Sequence, residues 1–179
     1  MLLKKQARLF TLIALIMSRC VSFAYSMDNN ILITGTLVTE PCTLVTGPDE
    51  NIVDFENIAS KDLYANTRIP GKAFSITLND CDIDIGQSVN IMFSGHESQA
   101  LPGLLSTDDD GSNGIAVGIE TENGEAILLN KPSPFFTLSE GTTILPLRGY
   151  VTGDPKALEN HSIKPGPFTA TVTFQLSYH

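Results

Sequence analysis

Cys42 and Cys81 are the residues best placed to do chemistry once the leader is set aside. In an exported chain an even cysteine pair points to a disulfide formed in an oxidising compartment. A metal pair is the rival, but His96, His161 and His179 are scattered without ligand spacing. Asp108, Asp109 and Asp110 before Gly111 hint at calcium. Their carboxylates are consecutive rather than alternating, and the glycine is misplaced for a calcium loop, so a solvated loop is expected. No Gly-x-Ser-x-Gly elbow or phosphate-binding glycine loop occurs. No catalytic residue, metal site or cofactor is assigned, and the chemistry expected of this chain is non-covalent.

The leader itself is residues 1–26. Lys4, Lys5 and Arg8 form a basic start, Leu9 to Met17 is apolar, and Ala24 and Ser26 are small residues suited to a cleavage site. Cleavage is expected after Ser26, with Ala24 as second choice. Arg19 before Cys20 argues against a lipoprotein. Cleavage leaves seven of the eleven Lys and Arg against 20 Asp and Glu, a formal charge of −13. Such a surface repels nucleic acid and anionic lipid. The remaining roughly 150 residues suit one domain.

The elements that follow read as short strands. Ile31, Ile33, Gly35 and Leu37 alternate with polar and apolar residues in a segment rich in β-branched side chains. A glycine in mid-strand often marks a close approach by another group. Alternating faces recur at Phe74, Ile76 and Leu78, at Val89, Ile91 and Phe93, and at Ile115, Val117 and Ile119. Asn123-Gly124 signals a two-residue hairpin into Ala126–Leu129, and Leu145, Leu147, Gly149 and Val151 form a further face. Glu56 to Asn66 has room for a turn or two of helix. The pattern predicts an all-β sandwich.

The end of the chain is the most regular part. Phe168, Ala170, Val172, Phe174, Leu176 and Tyr178 alternate with Thr169, Thr171, Thr173, Gln175 and Ser177, just after Gly166. Such a strand buries one face and wets the other. An immunoglobulin-like sandwich needs a neighbour beyond it, and no sequence remains to form one. As a bare edge it would invite aggregation.

These features together resemble the chaperone–usher pilin subunits of the type 1 and P pilus kind, over the whole mature chain. The resemblance rests on Ile31-Leu32-Ile33-Thr34-Gly35, on the Cys42 and Cys81 pair, and on Phe74-Ser75-Ile76-Thr77-Leu78. It rests also on Gly114-Ile115-Ala116-Val117-Gly118-Ile119, and on Gly166 with an alternating strand ending in penultimate Tyr178. The segment with Pro146 and Arg148 departs from the pattern in being less alanine-rich.

The resemblance implies an incomplete immunoglobulin-like β-sandwich lacking its final strand and completed by donor-strand complementation. Residues 27–39 would be the donor extension, with Ile31, Ile33 and Leu37 entering pockets and Gly35 passing a tight spot. Residues 40–179 would be the pilin domain, with Gly166 and Phe168 to Tyr178 flanking the groove. The partners implied are a periplasmic chaperone, an outer-membrane usher and neighbouring subunits. Basic chaperone residues would hold the His179 carboxylate. Export through the periplasm to a fimbria on the cell surface, and a contribution to cell adhesion, follow from the same resemblance. A free-standing secreted immunoglobulin-like binding module is the alternative, and predicts a complete sheet.

Overall fold

A computed structural model describes residues 31, 33–37, 39–47, 52–107 and 111–179. The leader and Asp108–Asp110 lie outside the described residues. The chain divides into two units, Met1–Leu37 and Val38–His179. In the first, Ile31 and residues 33–37 adopt no regular secondary structure, so the strand expected there is not formed. Extended backbone counts as a strand only when a second backbone accepts its hydrogen bonds.

The second unit contains nine strands and two short helices among its described residues. In chain order these are β1 (Thr43–Leu44), α1 (Ser60–Asn66), β2 (Lys72–Cys81), β3 (Ser88–Gly95), β4 (Leu105–Ser106) and β5 (Ile115–Thr121). Then come β6 (Ala126–Ile127), β7 (Phe136–Thr137), β8 (Gly141–Gly153), α2 (Pro155–Glu159) and β9 (Val172–Tyr178). One sheet runs β1-β2-β8-β5-β4, with β6 also on β5, and the other runs β7-β3-β9. Every pairing is antiparallel. No helix among the described residues is long and apolar enough to cross a membrane.

The core lies between the inner faces of these sheets. Leu78, Val89, Ile91, Leu145 and Val151 are fully buried. They fall at alternate positions of β2, β3 and β8, as the period-two pattern requires. Pro146 interrupts β8 without breaking it. It pairs with Ser75 of β2, while β5 reaches only Leu147 on the other side. A residue lacking an N–H is tolerated where a strand has a neighbour on one side alone.

Three expectations change in detail. The hairpin after β5 has a three-residue loop, closed by the Thr121 amide donating to Glu125 oxygen at 2.9 Å. Gly124 takes φ +84° there, the left-handed residue that ends a three-residue loop. The strand expected through Leu129 is only Ala126–Ile127. The last strand starts at Val172 rather than Phe168, because its partner β3 ends at Gly95, opposite Val172.

The outer face of the large sheet carries a polar cluster that strand periodicity did not forecast. Arg68 makes a forked ion pair with Glu120 at 2.9 and 3.0 Å. Its guanidinium lies 3.8 Å from the centre of the Tyr150 ring. Tyr150 in turn covers its cross-strand partner Gly118, where an added Cβ would fall 2.2 Å from the ring. This covering explains why β5 is buried on both faces. Burial pushes the Tyr150 phenol above its ordinary value, with the Arg68 charge opposing.

Candidate functional site

An elongated groove of about 1060 Å³ opens between the two sheets. Its floor is made by Ile76, Val117, Ile119 and Val151 of the large sheet and by Phe93 of the small one. Each comes from the inward set of its strand, so the groove is a part of the core left uncovered. The walls are the segment from Ile52 to Ile58 on one side and that from Pro165 through Phe174 on the other. At one point the walls approach, with the Phe55 and Phe168 rings 6.3 Å apart.

The small sheet shows most directly what is uncovered. In β9 the strand order ends, and its outer edge has no strand partner among the described residues. Phe93 and Phe174 are register partners with ring centroids 6.2 Å apart. Phe93 is 2% exposed, whereas Phe174 is only half-buried, as are Val172, Leu176 and Tyr178. The same face of one sheet is thus sealed over β3 and unsealed over β9. A strand laid along the free edge could pair with its backbone and place alternate side chains on this apolar floor.

Of the residues singled out from sequence, Gly166, Phe168, Ala170, Val172 and Phe174 line the groove. Leu176 and Tyr178 lie beyond it, opposite Ile91 and Val89 of β3. Burial raises the Tyr178 phenol above its ordinary value, and the Glu40 charge adds to this. His179 continues the ladder: its amide donates to Ser88 oxygen at 2.8 Å, and its main-chain oxygen accepts from Gln87 and Ser88 amides at 2.8 and 3.0 Å. Cys42 and Cys81 form a disulfide. Ile31, Ile33 and Leu37 are 87, 89 and 101% exposed. Around Gly35 an added Cβ would meet nothing within 4 Å.

The wall from Ile52 to Ile58 was missed. Its signal is slight: Val53 and Phe55 alternate with Asp54 and Glu56, two steps of a period-two pattern with no second strand to confirm it. Among the described residues, no three His, Cys, Asp or Glu gather as a metal site would need. His161 stacks on Tyr64, with ring centroids 4.7 Å apart.

Comparison with known proteins agrees with this architecture. Protein PrsK of Escherichia coli is 31% identical over 173 residues, covering 92% of this chain and 96% of that one. The fimbrial adapter PapK of Escherichia coli is 29% identical over the same shares. The crystal structure of the P pilus rod subunit PapA superposes with a TM-score of 0.67 at 21% identity, covering 78% of this chain and 100% of that one. It is alike in fold. The family model described as fimbrial protein matches residues 31–179, and the chain belongs to that fimbrial protein family.

Proposed function

We propose that the chain is a structural subunit of a chaperone–usher fimbria, built into the fibre by donor-strand exchange and contributing through that fibre to cell adhesion. The observation that carries this reading is the uncovered core beside the free edge of β9. The extension supplies the complementary part: Ile31, Ile33 and Leu37 stand out in water, at the odd positions that one face of a strand would present. The similarity to a fimbrial adapter supports a structural place in a fibre.

In the proposed cycle a periplasmic chaperone lends a strand to the groove, and the outer-membrane usher receives the complex. The extension of a neighbouring subunit then replaces the borrowed strand. Main-chain hydrogen bonds along β9 supply affinity, and side chains entering the floor supply selectivity. Each fully buried aliphatic side chain contributes about 1.5–3 kcal/mol before ordering costs. No catalysis and no cofactor is required, since tighter packing in the final complex drives the exchange.

Thermal melting of two variants tests this. One runs from Glu40 to His179, and the other continues through a Gly/Ser linker into residues 27–39. A large rise in Tm for the second is expected. A sharp, high melt of the first alone would mean that its sheet is complete, and would refute the reading. If neither melts cooperatively, the same comparison is made with the chaperone's strand as donor.

A further inference from the structure

Five pieces of chain meet at one pole of the second unit. The Asp82 amide donates to the Pro41 carbonyl at 2.9 Å, and the Ile85 amide closes a turn onto Asp82 oxygen at 3.3 Å. The Ile83 amide donates to the Glu140 carboxylate at 3.4 Å. A Cβ on Gly86 would lie 2.8 Å from the Pro41 ring and 3.6 Å from His179 oxygen. The Phe135 ring meets the His179 imidazole edge-on, with centroids 5.1 Å apart. The chain leaving for the extension, the turn after β2, the approach to β7, the start of β8 and His179 are therefore neighbours.

This pole holds apolar side chains out in water. Ile83, Ile85 and Phe135 are 38, 48 and 63% exposed. The turn does not demand the isoleucines, since Asp82 shapes it by accepting from the Asp84 amide at 2.9 Å. Exposed carboxylates stand among them at Glu40, Asp82, Asp84 and Glu140. Apolar and acidic side chains are thus exposed together at this pole.

We propose that this pole seats the body of the subunit that takes up residues 27–39, an inference that rests on the donor role proposed above. The chain enters the second unit through Glu40 and Pro41, at the pole itself. From Leu37 to Pro41 the chain spans at most about 14 Å when fully extended. A molecule gripping Ile31 to Leu37 is thereby held beside Ile83, Ile85 and Phe135. The matching face on that subunit is apolar with Lys or Arg around it. The tether raises the effective concentration of the two faces, so a patch too small to bind alone closes once the extension is seated. Successive subunits then hold a fixed angle instead of swivelling on a loose joint.

A photocrosslinking experiment in assembled fimbriae tests this. A benzophenone amino acid is placed, one position at a time, at Ile33, Ile83, Phe135 or the exposed Lys156 of α2, beyond the opposite end of β8. Fimbriae are isolated from the fimbriated host, irradiated, and the adducts identified by mass spectrometry. Adducts from Ile83 and Phe135 are expected on the same subunit that Ile33 captures, several-fold above any adduct from Lys156 to that subunit. Ile85→Ser is expected to lower the Ile83 adduct several-fold and leave the Ile33 adduct unchanged. Capture by Ile33, with Ile83 and Phe135 silent or joined to a different subunit, overturns the pole and leaves the donor role standing. Silence at Ile33 overturns the donor role and the pole with it.

Discussion

Phe93 and Phe174 offer a quantitative test of the uncovered groove, because they are register partners whose burial differs. Removing a fully buried phenylalanine side chain costs about 3–5 kcal/mol, and Phe93→Ala belongs in that range. Phe174 has a substantial part of its ring in water already. Phe174→Ala should therefore cost less in the free protein, about two-thirds as much, roughly 2–3.3 kcal/mol. A strand seated in the groove covers the rest, and the same substitution then reaches the full range. The difference must appear as weakened donor binding, about 5- to 20-fold in Kd. Denaturant unfolding of wild type and both variants, with and without saturating donor peptide, reads every leg of this cycle. The chaperone's strand serves as donor where the peptide 27–39 does not bind. Equal costs for Phe93→Ala and Phe174→Ala without donor, or unchanged donor affinity in Phe174→Ala, would refute the reasoning.

Four further outcomes are expected. Gly35→Arg should block incorporation into a fibre and leave chaperone binding intact, read in a reconstituted assembly reaction; undiminished incorporation would show that Gly35 faces no tight spot. Glu120→Ala should cost about 1–3 kcal/mol, below the range for fully buried pairs, because the Arg68 side chain is 39% exposed and can rehydrate. A double-mutant cycle with Arg68→Ala should return most of that cost as coupling. Reducing the Cys42–Cys81 bond, whose cysteines are 39 positions apart, should destabilise by roughly 4 kcal/mol on the chain-entropy estimate, measured by urea unfolding with and without reductant. Stability should also fall as pH climbs past the ordinary tyrosine value of about 10, because the raised Tyr150 and Tyr178 pKa values make the unfolded chain lose those protons first. Tyr150→Phe should remove its share of that fall and leave the share of Tyr178.

The sequence was most legible where one physical rule acts alone. Period-two alternation located β2, β3, β5, β8 and most of β9, since one face of each must be buried. It overshot at Phe168 because the end of β9 is set by where β3 stops, and that depends on a partner far away in sequence. Among the groove residues, Gly166 and Phe168 through Phe174 were visible from alternation and from the resemblance. The opposite wall from Ile52 to Ile58 was not, since it forms no ladder and its few apolar residues look like an ordinary loop. The Arg68–Glu120–Tyr150 cluster was equally hidden. A glutamate and an arginine 52 positions apart carry no periodic signal, and they meet because β8 pairs with β5 at Glu120 and with the chain at Arg68. Pro146 read as a departure, and the structure explains it by the end of β5.

The position of the disulfide has a mechanical consequence. On the donor role proposed for residues 27–39, a pull along the fibre would enter this subunit through Glu40, Pro41 and Cys42. The strand that follows, β1, has only two residues and would peel away under modest tension. The Cys42–Cys81 bond bypasses it and delivers the force to the end of β2. There the longest strand, β8, takes it up along an extended antiparallel pairing that runs from Lys72 opposite Gly149 to Cys81 opposite Gly141. Force applied along such a ladder shears its hydrogen bonds together instead of opening them one after another. An oxidised subunit is therefore equipped to transmit tension, and a reduced one would yield first at the point where its own chain leaves the fold.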